Sequence, residues 1–252
     1  MPLIRVLALA LAAFVPAGAA EDYQVYTEHP RILLGRYRLR LLKRDRERSA
    51  PRWQQFEALI EGQARMPEGP LADALYYRVA ENREAGQRAV RWALGKGPND
   101  LRHMALVFDW CQDLLNETER RALAGRLRDG LEHAAKDAGL PAVRARVLAA
   151  VAVAGHDPDP SAGALARIIE DWWQGRIVPE LKSGRDPLPA AHYYSLLEVL
   201  HVIRDNLNID LRRDAPEYFE EIAARRLLGY YPASYPAGEN DYRIPAGPLR
   251  GE

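Results

Sequence analysis

The sequence predicts an all-α protein, and two observations carry that prediction. Apolar residues recur at steps of three and four along most of the chain, the period of a helix with one face on a core. Alternating apolar and polar runs rich in β-branched residues, the mark of strands, are nearly absent. The segments with the helical period are LADALYYRVA (71–80), HMALVFDWCQDLL (103–115), RRALAGRLRDGLEHA (120–134), AVRARVLAAVAVAG (142–155), SLLEVLHVI (195–203) and EEIAARRLLGYY (220–231).

Short loops rich in glycine, proline and aspartate separate the helical segments, and short loops make consecutive helices antiparallel neighbours. The loops are MPEGP (66–70), GKGPND (95–100), GHDPDP (155–160), SGRDPLP (183–189) and YPASYPAGEN (231–240). The clearest helix start is Asn116, whose side chain can cap a helix while Glu119 reaches back to it. Two helices, 142–154 and 195–203, are apolar around most of their circumference. Such helices need cover on several sides, which favours a toroid with an inner and an outer ring.

The first twenty residues, MPLIRVLALALAAFVPAGAA, form a predicted signal peptide. Arg5 supplies the positive end, residues 6–15 form the apolar run, and small residues after Pro16 lead to a cleavage point before Glu21. The run is short for a bilayer span, so no membrane anchor is expected. We therefore expect export to the periplasm or the medium, with residues 21–252 forming one helical domain.

Composition and motifs exclude several classes of function. Lys plus Arg and Asp plus Glu both number 35, so no net field favours nucleic acid or an anionic membrane. Cys111 is the single cysteine, which rules out an internal disulfide, and its setting FDWCQDLL indicates a buried small residue. Sequence motifs for zinc, dinucleotides, phosphates or a serine nucleophile are absent, so we expect no cofactor. The adjacent Trp172 and Trp173 face different directions on a helix, so at most one is expected to be deeply buried.

Three stretches, in order, resemble the N-terminal helical domain of heparinase II/III-like polysaccharide lyases, a group that includes oligoalginate lyases. EHPRILLGRYRLRLLKRD (28–45) is similar to the His-Pro-Arg-Leu opening and first helix of that family. LRHMALVFDWCQDLLNETERRAL (101–123) is similar to its Tyr-Asp-Trp helix and the helix start that follows. GRDPLPAAHYYSLLEVLHVIRDNLNIDL (184–211) is similar to its Gly/Pro-rich loop, which presents a tyrosine before a long inner helix.

The resemblance implies an incomplete (α/α) toroid of antiparallel helical hairpins, which in the family is followed by antiparallel β-sandwich sheets. This chain would then correspond to the helical part and lack the C-terminal β-sandwich. The implied activity is cleavage of a uronate-containing polysaccharide by β-elimination. The implied partner is an acidic polysaccharide or oligosaccharide, with no nucleic acid and no membrane among the expected partners; the sequence does not indicate an oligomeric state.

β-Elimination needs a group that neutralises the uronate carboxylate, a base for the C5 proton and an acid for the leaving oxygen. By its position in the resemblance, Tyr193 is the proton-transfer residue, with Tyr194 as the register alternative and His192 as their neighbour. The family carries its neutralising group, an Asn or an Asn-His pair, at the start of an inner helix before the tyrosine, whereas the matching stretch 137–155 contains neither Asn nor His. Arg144 is the candidate replacement, since a guanidinium pairs with a carboxylate through two hydrogen bonds.

Four further residues are candidates for substrate binding. His103 and Trp110 lie within two turns of each other on one helix, and a tryptophan can stack on a sugar ring. Glu239 and Tyr242 lie on the loop GENDYRIP (238–245), and loops on a rigid scaffold often carry binding groups. The alternatives are a core position for the tryptophan and a surface linker for the loop.

Three alternatives to the lyase stay open on sequence alone. His192 and Tyr193 can be rim residues of a packed core with hydrogen-bonded tips. The protein can be a non-catalytic carbohydrate-binding or interaction domain with the same toroid fold. A glycosidase on a related barrel would need two carboxylates facing one cleft, and Glu198 or Asp205 with Glu239 are the candidates.

Overall fold

The structure is a computed structural model that describes residues 23–97, 100–134 and 139–229. All regular secondary structure in these ranges is helical and none is strand, which confirms the predicted all-α class. None of the helices in these ranges is both long and apolar enough to cross a membrane. The predicted signal peptide and the binding candidates Glu239 and Tyr242 lie outside the described residues.

The helices follow one another through short connections. In chain order they are α1 (Arg36–Glu47), α2 (Pro51–Glu61), α3 (Gly69–Ala80), α4 (Arg83–Leu94), α5 (Leu101–Trp110), α6 (Glu117–Ala134), α7 (Leu140–Val153), α8 (Ser161–Ala166), α9 (Val178–Lys182), α10 (Tyr193–Leu207) and α11 (Pro216–Gly229). A π-helical segment, Arg167–Ile177, joins α8 to α9. Short 3-10 turns precede α10 (Ala190–His192) and α11 (Leu211–Asp214).

The contacts between helices alternate along the chain. Helices α3, α5, α7 and α10 form a row in which each contacts the next, and α4 and α6 contact one another and the members of the row beside them. Helices α1 and α2 pack on α3 through a smaller cluster that includes Trp53, Ile60 and Tyr76. The row positions α5, α7 and α10 side by side, and these three helices carry the candidate site.

Helix α7 is buried around its whole circumference, as its composition predicts. Ten of its 14 residues are buried, and it contacts α5, α6, α8 and α10. Helix α10 was predicted to be covered in the same way, and that prediction is wrong on one side. It buries Leu196, Val199 and Ile203 but leaves Tyr194 65% and Leu197 54% exposed. The open side follows from the position of α10 at the end of the row, because no further helix of the row lies beyond it among the described residues.

The predicted capping box at the start of α6 is confirmed. Asn116 Oδ1 accepts from the backbone N–H of Glu119 at 2.9 Å, and the Asn116 N–H donates to Glu119 Oε2 at 3.0 Å. These two bonds satisfy donors at a helix end that no intrahelical carbonyl can reach.

We expect Asn116→Ala to lower the free energy of unfolding by about 1 kcal/mol, the usual effect of removing such a cap. Urea unfolding followed by circular dichroism measures the change. Glu132→Ala, an exposed position on the same helix, is the control and should stay within about 0.5 kcal/mol of the wild type. Equal effects of the two substitutions would show that the capping box contributes nothing.

The tryptophan pair lies in the π-helical segment, and the prediction that at most one ring is deeply buried is wrong. Trp173 is fully buried and Trp172 is 8% exposed. The wider turn of a π-helix reduces the angle between consecutive side chains, so both rings can face the core. Trp173 Nε1 donates to Asp214 Oδ2 at 2.9 Å, which ties the segment to the turn before α11.

Candidate functional site

A buried ion pair joins α5 to α10 at the centre of the candidate site. Arg102 donates from Nε to Glu198 Oε2 at 2.9 Å and from Nη2 to Glu198 Oε1 at 2.6 Å. Both residues are 4% exposed. Arg102 lies in the first turn of α5, which Asp100 caps through the backbone N–H of His103 at 2.9 Å. A two-pronged pair of this kind fixes both side chains in one orientation.

The ion pair continues into a network that includes the predicted residue His103. Arg102 Nη1 donates to Glu68 Oε1 at 3.1 Å, and His103 Nε2 lies 3.5 Å from the same oxygen. The other ring nitrogen of His103 lies 3.3 Å from Asp100. The ring of Trp92 meets the imidazole edge-on, with the ring centres 6.1 Å apart. His103 is therefore held between two carboxylates at the partly exposed rim of the network.

Arg144 approaches the network from α7. Its Nη1 lies 3.5 Å from Glu198 Oε2, while its Nε is enclosed without a hydrogen-bond partner. Two guanidinium groups thus share one buried carboxylate, and the only other acid in ion-pair range, among the described residues, is the half-exposed Glu68. Glu198 therefore balances one of the two guanidinium charges, and Glu68 at the rim supplies the second carboxylate.

Burial works to lower the pKa of Arg102, but the hydrogen bonds and charge of Glu198 outweigh burial and raise it. Smaller contributions come from Glu68 and from Tyr194. Tyr194 precedes Glu198 by one helical turn, so both lie on the same face of α10.

Tyr193 and Tyr194 point to different surroundings. Tyr193 donates its hydroxyl proton to Asp186 Oδ2 at 2.7 Å, and Tyr218 donates to the same oxygen at 3.1 Å. The two tyrosine hydroxyls are 3.0 Å apart. His192 is half-buried in the turn before α10, and its backbone N–H donates to Pro189. Of the predicted residues, the structure therefore brings Arg144 and His103 to one network, places Tyr194 one helical turn before Glu198 on α10, and holds Tyr193 in another network.

Tyr218 also lines a cavity of about 370 Å³ at the surface beside α9 and α11. The lining side chains include Lys182, Arg213, Asp214 and Glu217. A second cavity of about 400 Å³ lies at a distance from these groups, between α1, α3 and α4, lined by Lys43, Tyr77, Arg78, Glu81, Arg83 and Asp113. Tyr193 thus lies behind the wall of a mixed-charge cavity.

The first two stretches of the family resemblance meet in space. Asp109 is buried and accepts from the backbone N–H groups of Arg31 at 3.0 Å and Ile32 at 2.8 Å. His29 Nδ1 lies 2.5 Å from the other oxygen of this carboxylate. Trp110 donates from Nε1 to the Ile32 carbonyl at 2.9 Å and is 5% exposed. The predicted sugar-stacking residue Trp110 is therefore a core residue that anchors the His-Pro-Arg segment.

His156 packs beside this anchor and is held neutral. Its ring centre lies 5.9 Å from that of His29 and 5.1 Å from that of Phe108. Burial lowers the pKa of His156 to about 4, helped by the charges of His29 and Arg31. The ring also lines a cavity of about 270 Å³ with arginines of α6.

A pH dependence follows from the lowered pKa of His156. The unfolded chain takes up a proton near the ordinary value of 6.5, whereas the folded chain resists it until about 4. Stability from this group is therefore present above pH 6.5 and is lost as the pH falls towards 4. We expect the free energy of unfolding of His156→Phe to decrease less between pH 6.5 and 4 than that of the wild type. Urea unfolding at several pH values measures the free energy, and His133→Phe, at an exposed histidine, is the control. If the free energy of unfolding of His156→Phe depends on pH as it does in the wild type, His156 is not the group responsible.

The remaining candidates add no second charged pair to the site. Cys111 is buried, and burial raises the pKa of its thiol to about 12, so it stays protonated. Glu198, a glycosidase candidate, is committed to Arg102, and Asp205 pairs with Arg38 at 3.1 Å. Within the described part of the chain, no group of three His, Cys, Asp or Glu side chains could hold a metal ion.

Sequence reasoning missed Arg102 and Glu68 as members of the network. An available signal was the arginine directly before His103 at the start of a helix whose other residues are almost all apolar, because a charge there must find a partner on burial. The partner could not be named, since Glu198 lies 96 residues away.

No protein-family model matches the chain, and a search of curated proteins returns no match.

Proposed function

We propose that the protein is an exported polysaccharide lyase that cleaves a uronate-containing polysaccharide by β-elimination at the Arg102–Glu198 network. The observation that carries the proposal is the pair of guanidinium groups, Arg102 and Arg144, on one buried carboxylate, one helical turn from the exposed side chain of Tyr194. The signal-peptide pattern of residues 1–20 supports export. The resemblance in sequence supports the reaction class.

Arg144 is the proposed carboxylate clamp. Its Nε has no partner and its Nη1 stands at 3.5 Å from a carboxylate that Arg102 already holds with two shorter bonds. It can therefore turn its free donors to a substrate carboxylate without leaving Glu198 unpaired. Neutralising that carboxylate makes the neighbouring C5 proton easier to remove, because the negative charge that develops on it is stabilised.

Tyr194 is the proposed proton-transfer residue, in preference to Tyr193. A proton-transfer residue must be reachable by the substrate, and Tyr194 is 65% exposed and lies one helical turn before Glu198 on α10. Tyr193 instead donates to the carboxylate of Asp186. In the proposed reaction Tyr194, as phenolate, takes the C5 proton, the C–H electrons form the C4–C5 double bond, and the C4–O bond breaks. The tyrosine then returns the proton to the leaving oxygen.

We propose that the described helices are arranged as an incomplete (α/α) toroid. The row of α3, α5, α7 and α10 would be inner helices, and α4 and α6 outer ones. The alternating contacts of these helices and the burial of α7 on every side support this arrangement. Helix α10 would be the last inner helix of the described part, with its open face towards the substrate.

We expect Tyr194→Phe to lower kcat by about 10²–10⁴-fold on the polysaccharide that the wild type cleaves, the usual contribution of a positioned acid or base. Arg144→Met should lower kcat/KM strongly, because it removes the clamp and not the proton transfer. The assay follows the ultraviolet absorbance of unsaturated uronates with heparan sulfate, alginate and pectate. Tyr193→Phe is the paired comparison, and Tyr37→Phe, an equally exposed tyrosine, is the control; both should stay within a few-fold of the wild type.

Absence of absorbance change with every polymer, or full activity of Tyr194→Phe, would refute the catalytic proposal. Binding of a polysaccharide without turnover would support the second candidate, a non-catalytic carbohydrate-binding domain. The specific observation in favour of that candidate is the lack of Asn and His in residues 137–155, where the similar family carries its neutralising group. Titration calorimetry with the same polymers separates the two outcomes.

A further inference from the structure

The cavity of about 400 Å³ between α1, α3 and α4 shares no residue with the Arg102–Glu198 network. Its volume is within the range of roughly 300–1,000 Å³ that small-molecule sites occupy. Five of its six lining side chains are charged, so the cavity suits a polar ligand. The lining consists of Lys43 from α1, Tyr77 and Arg78 from α3, Glu81 and Arg83 from the end of α3 and the start of α4, and Asp113 from the short turn after α5.

Glu81 lines this cavity from a backbone conformation that favours glycine. It follows the last residue of α3 with a φ of 61°, in the left-handed region, where a residue with a β-carbon is unfavourable. The Glu81 carboxylate accepts from Lys43 Nζ at 2.7 Å, but both side chains are exposed to solvent, and exposed ion pairs contribute little to stability. The ion pair alone therefore does not explain a glutamate at this position.

Gly86 is a second residue that departs from its local preference. It lies inside α4, where glycine is less favourable than alanine. A β-carbon here would stand 2.7 Å from Tyr77 Cγ and would also collide with Leu114. Glycine therefore allows Tyr77 and the turn that carries Asp113 to pack closely on α4. In that position Tyr77 donates its hydroxyl proton to Asp113 Oδ2 at 2.6 Å.

Two departures from local preference thus position the lining of one cavity, and such departures are expected where function requires a particular arrangement of side chains. Glu81 presents its carboxylate at the cost of a left-handed backbone, and Gly86 permits the contact that orients Asp113. Burial, together with the hydrogen bond to Asp113, raises the pKa of Tyr77 to about 12. The tyrosine therefore remains a donor to Asp113.

The charges of the lining indicate the chemistry of the ligand. Three cations, Lys43, Arg78 and Arg83, face two carboxylates, Glu81 and Asp113. Lys43 pairs with Glu81 and Arg78 with Asp113, whereas the Arg83 side chain has no hydrogen bond or ion pair within the described part of the chain. An anionic group therefore fits at Arg83. The two carboxylates can only accept hydrogen bonds, so the rest of the ligand must donate them; hydroxyl groups do so, and the surplus positive charge disfavours an ammonium group.

We propose that this cavity binds a small polyhydroxylated anion, with its anionic group on Arg83 and its hydroxyl groups on Glu81 and Asp113. A guanidinium donates to two oxygens at once, which suits carboxylate, sulfate and phosphate alike. A sugar acid and a sugar ester of sulfate or phosphate share this chemistry. The site does not depend on the proposed lyase activity, since none of its residues belongs to the Arg102–Glu198 network.

Titration calorimetry of the full chain, in a buffer free of phosphate, sulfate and carboxylates, tests the site. The probes are glucuronate, glucose 6-phosphate and glucose 6-sulfate, with glucose, acetate, inorganic phosphate and inorganic sulfate as references. At least one sugar anion should bind saturably, with one molecule per chain. Glucose lacks the anionic group and the free ions lack the sugar hydroxyls, so each reference should bind at least about ten-fold more weakly. The sugar anion that binds most tightly identifies the anionic group.

Arg83→Gln should weaken binding of the sugar anion at least about ten-fold in Kd, whereas Arg91→Gln, at an exposed arginine of the same helix, should keep the wild-type affinity. Glu81→Gly should also weaken binding, while its Tm stays at or above that of the wild type because glycine relieves the left-handed backbone. Ser49→Gly, at another exposed left-handed residue, should keep both Tm and affinity. Loss of affinity without loss of Tm is an effect that a purely structural role of Glu81 would not produce.

Several results would overturn the proposal: no saturable binding of any sugar anion, a reference that binds as tightly as the sugar anions, or wild-type affinity in Arg83→Gln or Glu81→Gly. Equal losses of affinity in the two control variants would overturn it as well. If Glu81→Gly does not fold, the affinity of Arg83→Gln decides. Tyr194→Phe should bind like the wild type and no turnover enters the titration, so failure of this site and failure of the lyase proposal are distinguishable.

Discussion

Glu198→Leu is expected to lower the free energy of unfolding by about 3–5 kcal/mol, the range for breaking a buried ion pair from one side. The loss comes from Arg102, which is 4% exposed and would keep its charge with only the half-exposed Glu68 in contact. Arg144 would lose its nearest carboxylate as well. Urea unfolding with circular dichroism measures the change. Asp205→Leu, which removes an exposed ion-paired carboxylate of the same helix, should cost at most about 1 kcal/mol.

The double variant Arg102→Leu/Glu198→Leu separates the ion pair from its parts. Replacing both members of a buried pair by apolar residues is often neutral or stabilising, because the desolvation cost of the charges disappears with them. We therefore expect the double variant to recover most of what Glu198→Leu loses, with a coupling energy of about 2 kcal/mol or more in the double-mutant cycle. Additive losses would show that the two side chains act independently and that their short contacts carry no stability.

Asp109→Asn is expected to cost about 3 kcal/mol of unfolding free energy, although it changes the side-chain volume little. The carboxylate accepts two backbone N–H groups on one oxygen and faces His29 on the other, and Arg31 Nε lies 3.9 Å away. An amide has one accepting oxygen and no charge, so at least one buried donor loses its partner and the Arg31 guanidinium loses its counter-charge.

Thermal and urea unfolding of Asp109→Asn measure this loss. The control is Asp171→Asn, an exposed aspartate that should stay within about 0.5 kcal/mol of the wild type. A second reading comes from Trp110, whose indole is bound to the same segment: its fluorescence should shift to the red at lower denaturant concentration in the variant. Wild-type stability of Asp109→Asn would contradict the anchoring role of this carboxylate.

Features that depend on neighbouring residues were predictable from sequence. The cap of α6 involves Asn116 and Glu119, three residues apart, and the burial of α7 follows from its own composition. The two features of the fold that were predicted wrongly depend on what surrounds a helix. Full cover of α10 required a neighbouring helix that the described part of the chain does not supply. Burial of both Trp172 and Trp173 required a π-helix, which no local sequence pattern predicts.

The candidate site was predictable only in part, and the reason is sequence separation. Tyr194, Arg144 and His103 were each singled out by type and position. Their assembly depends on Arg102 and Glu198, 96 residues apart, whose contact no periodicity predicts. The same applies to the anchor between Asp109 and the segment at Arg31, which joins residues 78 apart. Resemblance to a family pointed to both stretches of that anchor, but the structure was needed to show that they touch.

The enclosure of α7 has a consequence for how the chain reaches its folded state. During synthesis from the N-terminus, α5 and α6 emerge before α7, whereas α10 begins forty residues after α7 ends. For that interval the face of α7 that α10 covers is an apolar surface exposed to water or to other chains. Nascent chains that stop between these two helices should therefore aggregate or recruit chaperones. Both tendencies should decrease once α10 has emerged and covers this face of α7.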